Sequence, residues 1–150
     1  MKIKKELNIK EINDILPHKY PFQMVDKIIE IKENSIIGVK NVTINEAYFK
    51  GHFPENPIMP GILQIESLAQ TGGILILSKI KNYKNYWPYL ISINNCKFKK
   101  IIIPGDTLLL KCKLVNSVKL NFIKMKTEAF VNNNLTCESI MLAKLIKKKK

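Results

Sequence analysis

The sequence contains no arginine: all 25 of its basic side chains are lysine, set against 12 acidic ones. It therefore lacks the planar fork with which arginine grips carboxylates and phosphates, and any recognition of negative charge rests on point charges. Histidine is scarce, with only His18 and His52, and Cys96, Cys112 and Cys137 are widely spaced with no C-x-x-C pair. Those absences argue against a protein-built metal cage and a disulfide framework, and they fit a reducing compartment. Long hydrophobic runs are missing too. The longest apolar stretch, Gly61 to Leu77, is interrupted by Gln64, Glu66, Gln70 and two glycines, which excludes a membrane span. The start, Met1-Lys2-Ile3-Lys4-Lys5-Glu6, is basic but leads into no apolar signal segment, so the expected location is cytoplasmic.

The chain has 150 residues, 46% of them hydrophobic and 25% charged, the size and balance of one globular domain spanning 1–150. Its net charge of +13 has two explanations. One is an acidic partner. The other is a drift toward AT-rich codons, which the abundance of Ile and Asn supports and which accounts for most of the charge. A nucleic-acid-binding module would show clustered basic residues with stacking aromatics, whereas these lysines are scattered. Residues 146–150, ending in Lys147–Lys150, read as a frayed, solvated tail.

Asn8 to Ile15 reads as a short helix, with Asn8 as cap, Glu11 three residues on and Pro17 as stop. Phe22 to Val42 is strand-like, with a turn at Glu33-Asn34-Ser35. A Gly/Pro-rich loop from Gly51 to Gly61 leads into a helix from Gly61 to about Ile80 that is apolar nearly all round and so expected to be buried on every side. Strands follow at Tyr89–Phe98, Thr107–Val115, Leu120–Val131 and Leu135–Leu145, broken at Pro104-Gly105-Asp106, Asn116-Ser117 and Asn132-Asn133-Asn134. Short connections favour antiparallel pairing, and the sum is an α+β fold with a sheet wrapped around one long helix.

Glu66 stands out chemically, because a carboxyl on an apolar helix must be paired or held protonated. A neutral carboxylic acid can serve as a general acid; the bland alternative is a Glu that reaches a subunit boundary or a lysine. His52, in the loop before the helix, is a candidate base. Gly61 lets its backbone N–H approach a substrate closely at a helix N-terminus, where developing negative charge is favoured. Base, acid and oxyanion donor within fifteen residues suit proton abstraction beside a carbonyl.

Leu16-Pro17-His18-Lys19-Tyr20-Pro21-Phe22, Gly51-His52-Phe53-Pro54, Met59-Pro60-Gly61 running on to Gln70, Phe98-Lys99-Lys100 and Pro104-Gly105-Asp106 together resemble the FabZ family of 3-hydroxyacyl-acyl-carrier-protein dehydratases. The resemblance runs from about Ile9 to Leu145, including the fourteen-residue step from His52 to Glu66. It implies a hot-dog fold and dimers whose sites combine His52 of one subunit with Glu66 of the other, three dimers forming a hexamer. It also implies loss of water from a (3R)-hydroxyacyl thioester, with His52 as base, Glu66 as acid and Gly61 as oxyanion donor. The substrate would arrive on an acidic acyl carrier protein that carries its own phosphopantetheine, so no metal or other cofactor is implied. Lys97, Lys99 and Lys100 are candidates for docking that carrier; alternatively they are lysines of an alternating strand pointing to water. His18 is expected to shape the loop near the site without a catalytic part. A hot-dog acyl-thioesterase is the nearest rival, while the related dehydratase-isomerase carries Asp where this chain has Glu66.

Overall fold

Helix α1 (Ile9–Ile15) is fixed by a reciprocal cap. Asn8 Oδ1 accepts from the N–H groups of Lys10 and Glu11 at 2.9 and 3.2 Å, and Glu11 Oε2 accepts from the Asn8 N–H at 2.9 Å. Three of the orphan donors of a helix start are thereby satisfied. The architecture comes from a computed structural model that describes residues 6–115 and 121–149. The Asn116-Ser117 break, Leu120 and the first and last residues of the chain lie outside the described residues.

Strands β1 (Lys27–Ile31), β2 (Ser35–Asn41), β3 (Tyr86–Phe98), β4 (Thr107–Leu114), β5 (Phe122–Val131) and β6 (Asn134–Lys147) form one sheet in the order β1-β2-β4-β5-β6-β3. Every pairing is antiparallel. The β5–β6 hairpin turns through Asn132 and Asn133, with φ of 48° and 65°, the left-handed pair that a two-residue primed turn requires. Burial alternates along β2, β4 and β5, so each gives one face to the core and one to solvent.

Helix α2 (Gly61–Leu77) lies against the inner face. Close approach is built into the sequence: a Cβ at Gly72 would sit 2.5 Å from Met125 Sδ on β5. The Cys112 thiol of β4 donates to Leu68 O at 3.2 Å. Leu68, Ile74, Leu75, Ile28, Ile36, Leu108 and Leu110 are fully buried between helix and sheet. Burial contributes roughly 1.5–3 kcal/mol for each such aliphatic side chain.

Several boundaries differ from the sequence expectation, and β6 runs on to Lys147, so Ile146 and Lys147, expected in a frayed tail, pair with Trp87 and Tyr86. Regular pairing starts at Lys27, not Phe22, because the Phe22 carbonyl and the Met24 N–H find their partner in the Gln70 amide on α2. Helix α2 stops at Leu77 with Ser78 as C-cap, short of Ile80. Strand β3 begins three residues early, Trp87 and Pro88 pairing with Ile146 and Leu145; proline is tolerated there because β3 is an edge strand.

Candidate active site

Helix α2 is not covered all round. Ile62, Glu66, Ala69 and Gly73, spaced 4, 3 and 4 residues apart, share one face. Of these, Ile62 is 61% exposed and the other three are partly open, whereas most of the remaining helix is buried. Glu66 is thus not an acid lost in a core; it sits on the one open stripe of a buried helix.

Its carboxyl is oriented. Gln70, one turn on and 1% exposed, donates from Nε2 to Glu66 Oε1 at 2.8 Å. The same Nε2 donates to Phe22 O at 2.8 Å, and Oε1 of Gln70 accepts from the Met24 N–H at 2.8 Å. Two backbone anchors therefore fix the amide, and the amide fixes one oxygen of Glu66. On the same side, His18 Nε2 lies 3.7 Å from Glu66 Oε1. Glu66, His18 and Gln70 open onto a cavity of about 190 Å³ whose remaining wall is largely apolar, including Phe22, Ala69, Ile76, Leu90 and Met141. Complete small-molecule sites usually enclose about 300–1,000 Å³, so the cavity of one chain has the size of part of a site.

His52 follows the 3-10 turn Ala47–Lys50, its loop tied by His52 N–H to Tyr48 O at 2.9 Å and Ile58 N–H to His52 O at 3.2 Å. Its Nδ1 lies 2.9 Å from Ile58 O. A carbonyl only accepts, so Nδ1 is the donor, and in the neutral tautomer this selects, Nε2 carries the lone pair that a general base needs. The imidazole stacks on Phe53 with centroids 4.0 Å apart. His52 does not line the cavity that holds Glu66, so a single chain does not bring the two together there.

Gly61 opens α2 without a capping side chain, since Pro60 occupies the N-cap. The Phe98 ring of β3 would lie 3.1 Å from a Cβ at this position, so the helix start and the end of β3 abut. Lys99 Nζ pairs with Glu138 at 3.0 Å, and Lys97 stands opposite Glu138 in the β3–β6 register. These cations hold the Glu138 carboxyl below its ordinary range, the Lys99 hydrogen bond acting most strongly. Lys100 is exposed beside them. Among the described residues no group of three His, Cys, Asp or Glu side chains is placed to hold a metal ion, and no helix is long and apolar enough to cross a membrane.

Gln70 and the nearness of His18 to Glu66 went unread in the sequence. The signal for Gln70 was its i+4 spacing from Glu66; for His18, forty-eight residues away, only the Leu-Pro-His-Lys-Tyr-Pro motif pointed to the site.

A six-stranded antiparallel sheet wrapped around one long helix is the hot-dog fold, and it sets the class of protein to which this chain belongs. Among solved structures, the fold is similar to the dehydratase heterocomplex ApeI:P from Xenorhabdus doucetiae, with a TM-score of 0.77 over 93% of this chain and 91% of that one at 16% identity. It is also similar to a hypothetical thioesterase with coenzyme A from Streptococcus pneumoniae, with a TM-score of 0.60 over 82% and 87% at 11% identity. The FabA-like domain family matches residues 16–139. The chain is 45% identical to the 3-hydroxyacyl-[acyl-carrier-protein] dehydratase FabZ of Syntrophobacter fumaroxidans over 91% of its own length and 92% of the relative. With the bifunctional enzyme LpxC/FabZ of Bacteroides thetaiotaomicron it shares 43% identity over 95% of its length, while spanning 31% of that longer protein. The chain belongs to the FabZ family of 3-hydroxyacyl-acyl-carrier-protein dehydratases.

Proposed function

We propose that this chain removes water from (3R)-hydroxyacyl-acyl-carrier-protein to give the trans-2-enoyl thioester of type II fatty acid synthesis. The observation that carries the reading is the Glu66 carboxyl, fixed at Oε1 by Gln70 in the wall of an apolar cavity. His52 Nε2 takes the C2 proton. Charge develops on the thioester oxygen and is met by the Gly61 N–H at the positive end of α2. The C3–O bond then breaks, and protonated Glu66 supplies the proton with which the hydroxyl departs as water. The acyl chain occupies the apolar cavity beside α2. The reaction calls for no metal or cofactor, since the phosphopantetheine arm belongs to the carrier.

Two copies complete each site, with His52 of one facing the partner subunit's Glu66. Three features support this: the cavity is small, one α2 stripe is open, and edge strand β3 displays Tyr89, Leu90 and Ile91, each 41–50% exposed. A long apolar edge of this kind is a template for pairing with a second chain. Such dimers assemble further into a hexamer. Lys97, Lys99 and Lys100 attract the acidic carrier, with Lys99 shared between it and Glu138.

The test is the dehydration rate on 3-hydroxyacyl-carrier-protein, with crotonyl-carrier-protein hydration as the reverse reaction. Wild type should be active, and His52→Ala and Glu66→Gln should each lose about 10²-fold or more. Inactivity in both directions, with hydrolysis of acyl thioesters instead, would make the chain a thioesterase on the same fold.

A further inference from the structure

Glu66 Oε1 has two neighbours, and the reaction above gives a part to only one of them. Gln70 is one. The other is His18, from the loop after α1, with Nε2 at 3.7 Å. The far nitrogen of that ring, Nδ1, is buried and has no hydrogen-bond partner. An orphaned buried N–H is rarer and more costly than a bare lone pair. The ring proton therefore belongs on Nε2, which faces Glu66 Oε1 across 3.7 Å, longer than a hydrogen bond but within range of charge–dipole attraction. The charged groups that act on His18 are Glu66 on α2 and Lys19 on its own loop. Lys19 Nζ is bound to the carbonyls of Asn13 and Leu16. Burial pushes the His18 ring below the ordinary histidine range, Glu66 opposes this, and Lys19 adds to it. The ring is neutral at pH 7, an oriented dipole rather than a counter-charge.

We propose that His18 is a positioning residue for Glu66: with Gln70 it keeps Oε1 as an acceptor, so the proton given to the leaving hydroxyl resides on Oε2. This rests on the dehydratase reading. When Glu66 has released its proton, the Nε2–H faces a full carboxylate and stabilises it. No proton passes through His18.

The experiment has two arms on the full chain. In the first, His18→Leu and His18→Asn are assayed for dehydration across pH. His18→Leu should lower kcat about 2- to 10-fold, the scale of a neutral polar contact, with KM nearly unchanged. The alkaline limb of its kcat profile should move to higher pH, because a carboxylate that has lost a donor keeps its proton longer. His18→Asn, which retains a donor, should recover part of the rate. Wild-type kcat in His18→Leu, or a loss with an unmoved limb and no recovery in His18→Asn, would overturn the proposal in favour of a loop-shaping role. The second arm needs no activity. Only two histidines are present, so 15N-histidine NMR reads His18 directly. The Nε2-protonated neutral ring is expected at pH 7, its titration midpoint falling further in Glu66→Gln. An Nδ1-protonated ring, or a midpoint indifferent to Glu66, would sink the contact. Wild type that does not dehydrate sinks the dehydratase reading instead and leaves the contact to be decided by the NMR arm.

Discussion

Replacing Gln70 with Met, close in shape and without hydrogen bonds, should strike fold and site together. The native amide makes three contacts at 2.8 Å: it donates to Phe22 O and Glu66 Oε1 and accepts from Met24 N–H. Two are neutral backbone bonds worth about 0.5–1.5 kcal/mol each, and the third, to a carboxyl group, is worth about 1.5–3 kcal/mol when that group is charged. The site is 1% exposed, so water does not readily replace them, and the orphaned Met24 N–H adds a desolvation penalty. A loss of about 3–5 kcal/mol is expected, which lowers Tm by roughly 2–4 °C per kcal/mol in a chain of this size. Urea unfolding at one fixed protomer concentration checks the first figure, because assembly makes apparent stability concentration-dependent. The dehydration rate should fall as well, since Glu66 loses its orientation. A stability change under about 1 kcal/mol would refute the account of how the 16–26 segment is held to α2.

Three further outcomes are expected. Gly72→Ala gains helix propensity but drives a methyl toward Met125 Sδ; thermal unfolding should show a net loss of about 1–2 kcal/mol, with a rise in KM for longer acyl chains because Met125 lines the cavity. Lys40, 4% exposed, pairs with Glu46 and with Asp26 at 3.6 Å; Lys40→Met leaves two carboxylates facing one another, and chemical denaturation should show a loss toward the lower end of ~3–5 kcal/mol because both remain partly exposed. The His18 ring is held below its ordinary range, so the unfolded chain binds that proton first. Its contribution to stability is present above the ordinary histidine value and is lost as pH falls below it. His18→Asn should flatten that part of the stability–pH curve, and an unchanged slope would contradict the burial argument.

Much of this molecule is legible from local chemistry. The Asn8–Glu11 cap, the start of α2 at Gly61 and the Asn132-Asn133 turn each depend on residues within four positions, and the structure shows all three. What escaped the sequence is held by distant partners. The stretch from Phe22 looks like a strand because its residues alternate, but Gln70, more than forty residues on, supplies its hydrogen bonds. Nothing local marks Lys40, which is buried where Asp26 and Glu46 converge on it from two other segments. His18 reads as a loop residue because nothing near it in the chain reveals that Glu66 is its neighbour. The open stripe of α2 was hidden by its own composition: Ile62, Ala69 and Gly73 are as apolar as the buried faces. Only the packing shows that the sheet leaves them uncovered.

The most direct test is to mix His52→Ala with Glu66→Gln after dissociating and reassembling the subunits. If His52 of one copy works with the partner subunit's Glu66, each mixed dimer has one intact site, and random exchange should restore about a quarter of the wild-type dehydration rate. No recovery, with mixed dimers verified by mass, would contradict a site shared between two chains and with it the pairing of His52 and Glu66.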